Sequence, residues 1–153
     1  MSESVAREST LAGTRPVGLT ESRPVGLTKD AGWEAGVRRT IAAPLPAVWS
    51  HLIGDGLPTW LGSTTLPTTA STDYATAEGT RGEIRAYRPE HRIRLTWQPQ
   101  GWTHDSTVQV TVIPAATGTT IAFHHERLAS EAERAAQLAH WTTVLDGLER
   151  ELA

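Results

Sequence analysis

The sequence predicts an α+β domain in which a curved antiparallel β-sheet wraps around one long C-terminal α-helix. Three observations carry this. Four short runs between residues 84 and 125 alternate apolar and polar residues and are separated by turn residues. An apolar stripe at spacings of three and four closes the chain, and two short groups with helical spacing follow the first strand-like run.

The first strand is expected at Trp33, Ala35, Val37 and Ile41, which alternate with mostly polar neighbours; Arg39 breaks the parity and is expected near an open end. Pro44 and Pro46 then precede Leu45, Val48, Trp49, Leu52 and Ile53, the pattern of a short helix with proline in its first turn. Gly54 and Gly56 end it, and Leu57 to Leu61 form a second short turn carrying Trp60. Residues 63–78 are rich in Ser and Thr and give only a weak strand signal at Tyr74 to Ala77.

Four clearer strands follow. They carry Ile84 and Ala86; Ile93, Leu95 and Trp97; Ser106, Val108, Val110 and Val112; and Thr119, Ile121, Phe123 and His125 on their inner faces. Turn residues at Pro89, Pro99 to Gly101 and Pro114 to Gly118 make these antiparallel hairpins with one buried face. In the last segment Ser130 and Glu133 form a capping box. Leu138, Trp141, Leu145, Leu148 and Leu152 form the apolar stripe, and Asp146 and Arg150 stand at i,i+4 on its flank. From Glu131 to the end the helix is about 34 Å long, the length of a ten-residue strand, so it can lie along the sheet's concave face.

Residues 1–32 read differently. They lack a sustained period and contain RPVGLT twice, at Arg15 to Thr20 and Arg23 to Thr28. The organisation is therefore a flexible N-terminal tail, residues 1–32, and a domain at 33–153. The tail is expected to be unstructured or to dock, in cis or in trans, as an added edge strand; the eight-residue offset preserves side-chain parity between the copies.

Composition excludes several function classes. A net charge of −3 argues against a nucleic-acid partner. With no cysteine there is neither a disulfide framework nor thiolate chemistry. No apolar run of 18 residues and no basic-then-apolar leader is present, so the expectation is a cytoplasmic protein without a membrane partner. Six tryptophans against one phenylalanine are unusual and point to an aromatic core or pocket.

The order strand, short helices, hairpin strands and long final helix resembles the helix-grip fold of the SRPBCC/START-like superfamily. The stretches VRRTIAAPLPAVWSHL, WLG at Trp60 to Gly62, RGEIRAYRPEHRIRLTW, STVQVTV, GTTIAFHHERL and HWTTVLDGLERELA are similar to the AHSA-type family, related to the heat-shock-protein ATPase activator and common as a single domain in bacteria. The resemblance spans residues 33–153. It implies a cavity between sheet and C-terminal helix and no particular chemistry, and co-chaperone activity is not expected from it.

Parity places His104 and His125 inward and His124 outward. Adjacent His124 and His125 cannot chelate one ion, no metal or other cofactor is expected, and no nucleophile–base pairing suggests a triad. The expected ligand-lining set is Trp49, Trp60, Trp97, His104, Phe123, His125 and Trp141. For the two histidines a core role, bonded to backbone, competes with orienting a ligand or acting as acid and base. For Trp49 and Trp141, on helix stripes, core packing is the better reading. Three functions follow: binding of a small lipophilic molecule as carrier or sensor, ranked first; a cyclase- or aromatase-like enzyme on a lipophilic substrate; or an interaction or stress-related protein whose pocket is filled by its own side chains. A homodimer is the base-rate expectation for assembly.

Overall fold

The computed structural model describes residues 26–28 and 32–153, in the order β1 (Trp33–Ile41), α1 (Leu45–Ile53), α2 (Leu57–Trp60), β2 (Thr72–Ala75), β3 (Arg81–Arg88), β4 (Arg92–Trp97), β5 (Ser106–Ala115), β6 (Gly118–Leu128) and α3 (Glu131–Leu152). Six antiparallel strands form one sheet in the order β1-β6-β5-β4-β3-β2. The chain leaves β1 at one edge and re-enters as β2 at the other, and α1 and α2 lie in that crossing. This is the helix-grip architecture.

The alternating strands bury one face, with Ile93, Leu95, Val108, Val110, Ile121 and Phe123 all nearly inaccessible. In β3 the expected parity fails after Ile84. A bulge between Ile84 and Ala86 resets the register, so Ala86 pairs with outward Arg94 and Tyr87 with inward Ile93. Tyr87, rather than Ala86, then packs inward against Trp49 of α1, 5.8 Å between ring centroids.

Helix α3 packs chiefly over β1 and β6. Ser130 Oγ accepts from the Glu133 amide at 3.0 Å, and the Glu133 carboxylate accepts from the Ala129 amide at 2.8 Å, which satisfies one first-turn donor and the amide just before the cap. Trp141, Val144, Leu145 and Leu148 form the buried stripe, while Leu152 is only partly covered. The parity break at Arg39 has a specific cause. Its guanidinium crosses to α3 and meets Asp146 at 2.6 Å and Glu149 at 3.1 Å, so Asp146 is engaged by β1 instead of by Arg150. At Gly147 a Cβ would stand 3.1 Å from Thr59 Cγ2, and the bare helix surface there lets α2 approach closely. Thr59 and His51 both bond Glu151, at 2.5 and 2.6 Å, tying α1 and α2 to the end of α3.

Of the doubled hexapeptide, only Gly26 to Thr28 of the second copy lie within the described residues. Leu27 bridges Trp33 antiparallel at the free edge of β1, and the Thr28 amide bonds the Gly32 carbonyl at 2.7 Å. The remainder of the tail, including the whole first copy, lies outside the described residues. Among those residues no helix is long and apolar enough to cross a membrane.

Candidate functional site

Two aromatic neighbourhoods lie side by side at the end of the sheet where β4, β5 and β6 meet α3. The inner one is centred on His125, which has no accessible surface. The Trp141 indole N–H donates to His125 Nδ1 at 3.0 Å. An indole nitrogen can only donate, so Nδ1 carries no proton and the ring proton sits on Nε2. That proton is directed at Ser106 Oγ, 2.8 Å away, and the Ser106 hydroxyl donates onward to the Trp97 carbonyl at 2.7 Å. Every polar atom in this chain has a partner. Burial, with smaller contributions from the charges of His140, His124 and His104, pushes the His125 pKa down to about 3. His125 is therefore a neutral, fully satisfied core histidine, and neither ring nitrogen is free to exchange a proton with a ligand.

Aromatic packing encloses it. Phe123 stacks on Trp141 at 4.6 Å and lies 5.9 Å from Trp60, and Trp97 meets the His125 ring edge-on at 4.9 Å. Phe123 and Trp141 thus fill the space between sheet and helix at this level. Trp60 donates its N–H to the Leu52 carbonyl at 2.8 Å, which fixes α2 on α1.

The outer neighbourhood is an open cleft of about 400 Å³. Pro58 to Gly62 of the α2 segment form one wall, Trp97 at the end of β4 with Pro99 and Trp102 of the β4–β5 connection another, and Gln137 and His140 of α3 a third, with Glu78 and Thr80 at the rim. Trp97 and Trp102 meet edge-on at 5.4 Å. Two buried polar atoms on these walls, the Trp97 indole N–H and the Gln137 side-chain oxygen, have no hydrogen-bond partner among the described residues. Glu78 is held by the Ser63 amide and hydroxyl, both at 2.8 Å, and these bonds keep its carboxyl below the usual pKa.

The residues expected to line a pocket thus separate. Trp60 and Trp97 line the cleft. Phe123, His125 and Trp141 lie behind it in the core, and Trp49 packs under α1. His104 departs most from expectation. It lies in the loop before β5, stacks on Trp102 at 4.9 Å, and pairs with Glu133 at 3.0 Å while its Nδ1 bonds the Asp105 carbonyl at 2.8 Å. Partial burial lowers its pKa, but the bonds to Glu133 and Asp105 outweigh this and the net shift is upward. His104 thereby clamps the β4–β5 connection to the start of α3 instead of entering a cavity. His124 faces outward as expected, and pairs with Glu34 at 2.7 Å and Glu126 at 3.3 Å. Gln137 and His140 are lining residues that the strand-by-strand reading passes over. The signal for Gln137 was its position four residues before Trp141, on the same helix flank.

A second hollow, about 570 Å³, lies on the outer face among Asp73, Arg81, Glu83, Arg85 and Asp105. Its charged lining suits solvent. No group of three His, Asp or Glu side chains among the described residues is placed to hold a metal ion.

Comparison with known proteins identifies the architecture. The family model described as Activator of Hsp90 ATPase homolog 1-like protein matches residues 63–153. No curated protein matches the chain. Among solved structures, CalU16 from Micromonospora echinospora superposes with a TM-score of 0.69 at 22% identity, covering 82% of this chain and 81% of that one. DynU16, a protein in the dynemicin biosynthetic locus, gives 0.68 at 21%, covering 78% of this chain and 46% of its own, so this chain spans less than half of DynU16. MLL2253 from Mesorhizobium loti gives 0.60 at 20%, covering 76% and 94%. At these identities the likeness establishes the fold.

Proposed function

The chain belongs to the Activator of Hsp90 ATPase homolog 1-like family, and from that premise we propose that it binds a small lipophilic molecule in the cleft framed by Trp60, Trp97 and Trp102. The observation that carries the reading is the cleft itself: an open hollow of about 400 Å³ walled by three tryptophans and two prolines. Ligand pockets are of this size and are lined mainly by apolar and aromatic groups with a few polar atoms. The reading moves the binding site from the centre of the sheet–helix interface, where Phe123 and Trp141 stack, to its mouth.

A carrier or sensor role fits the ionisable groups better than an acid–base enzyme does. His125 is closed off by its own hydrogen bonds, and Glu78 is engaged by Ser63. His140, on the cleft wall, has its pKa lowered by desolvation and, among the described residues, makes no hydrogen bond to a carboxylate or carbonyl that would orient it as a base. The dynemicin locus of DynU16 belongs to that protein, and the likeness to it brings no ligand with it.

Native mass spectrometry of freshly purified protein, with organic extraction of whatever co-purifies, tests the reading. The expected result is a retained or addable lipophilic ligand whose affinity falls about tenfold in Trp102→Ala, the loss of one aromatic wall. Trp102 is only partly buried, so the fold should survive the change. A clean apo mass, together with no stabilisation by a panel of lipophilic compounds, would overturn it.

A further inference from the structure

The cleft contains more information than its size. Trp97 is 6% exposed, and its indole N–H is a buried donor with no acceptor among the described residues; the Gln137 oxygen on the facing helix is a buried acceptor with no donor. Buried polar groups are normally paired, and each unpaired one costs free energy that a partner would recover. Both residues line the same cleft. The two atoms do not bond each other, and a single group that completed both would accept from Trp97 and donate to Gln137.

The charge around the cleft narrows this further. Glu78 stands at the rim as a carboxylate held ionised by Ser63, and His140, the basic side chain on the walls, has its pKa lowered by desolvation, which favours its neutral form. An anionic ligand would set its charge against the Glu78 carboxylate and the Gln137 lone pairs with no cation in the lining to offset them. We infer that the cleft selects a neutral aromatic ligand carrying one group that both accepts and donates a hydrogen bond, of the phenolic hydroxyl or lactam type. The aromatic body lies in the cleft against Trp102, and the polar group bridges Trp97 and Gln137. This rests on the binding reading above and specifies its ligand class.

The test uses matched two-ring probes at pH 7: 2-naphthol and 2-quinolone, which both accept and donate; 2-methoxynaphthalene, which only accepts; naphthalene; and 2-naphthoate, an anion. Binding is followed by calorimetry and by the indole N–H signal of Trp97 in proton–nitrogen spectra. The better of the two dual-function probes should bind about tenfold tighter than 2-methoxynaphthalene, against their order of lipophilicity, with 2-naphthoate weaker than both. In Gln137→Met, on the flank of α3, that preference should collapse. Trp97→Phe should collapse it too, and Gln137→Met keeps the question decidable if the buried Trp97 variant does not fold. Equal affinity for all five probes, with the Trp97 signal moving, would overturn the polar selection and leave lipophilic binding standing. A Trp97 signal unmoved by every probe would overturn both.

Discussion

The two aromatic neighbourhoods that share Trp97 differ in one respect that separates structure from function. Around His125 the polar atoms form a closed chain, from the Trp141 N–H through both ring nitrogens and the Ser106 hydroxyl to the Trp97 carbonyl. Across the same indole, the Trp97 N–H and the Gln137 oxygen are buried and have no partner among the described residues. Both places hold polar groups among tryptophans, and by residue type alone the histidine is the more suggestive. The difference is satisfaction. A complete network in a low-dielectric interior fixes one core arrangement, whereas an incomplete one in the wall of an open cleft has unused capacity for a ligand.

The comparison breaks first, and most strongly, under acid. The ordinary His pKa is about 6.5, and His125 in the fold is held at about 3. A depressed value means the fold favours the neutral ring. Its contribution is complete above pH 6.5 and is lost as pH falls from there toward 3, with a ceiling of about 5 kcal/mol. His104 and His124, with raised values, have the opposite sign: their contributions are present below pH 6.5 and fade as pH rises through their folded values. Both are partly exposed and so count for less. Urea midpoints at pH 7, 6, 5 and 4 should therefore fall steadily. His125→Ala should flatten that slope and, at pH 7, cost about 4 kcal/mol through a cavity and two stranded hydrogen-bonding groups. A His125→Ala protein that keeps its stability and loses ligand would move His125 from the core into the site.

Most of the fold was legible because period-two alternation reports burial directly in β4, β5 and β6, and because Ser130 with Glu133 announces the start of α3. Three features were not. The bulge after Ile84 is a backbone event that changes which face Ala86 and Tyr87 occupy without any mark in residue type. His104 was assigned inward by extending the parity of β5 two residues beyond its first residue, Ser106, into a loop where parity has no meaning. The cleft itself is a meeting of α2, the β4–β5 connection and α3, residues 40 to 80 apart in sequence, so Gln137 and Trp97 become neighbours only through the topology. Trp60 and Trp97 were legible as candidates because each stands at the end of an element, where walls of this kind form.

The smallest effect sharpens the comparison most, since it removes one atom from the satisfied network and leaves its shape. Ser106→Ala takes away the acceptor of the His125 Nε2 proton and the donor to the Trp97 carbonyl. The ring cannot answer by moving its proton to Nδ1, because the Trp141 N–H already points there at 3.0 Å. A buried donor is left unpaired, and the expected cost is about 2 kcal/mol, read as a lower urea midpoint at unchanged m-value. Ligand affinity should change far less than in Trp102→Ala, because Ser106 bonds the Trp97 carbonyl and is not among the residues that line the cleft, whereas Trp102 is. Long-range proton–nitrogen spectra of the wild type should show the Nε2–H form of His125 from pH 8 to pH 5. An Nδ1–H signal, or a Ser106→Ala protein of full stability, would mean that the chain around His125 is open like the cleft, and the distinction between the two neighbourhoods would fail.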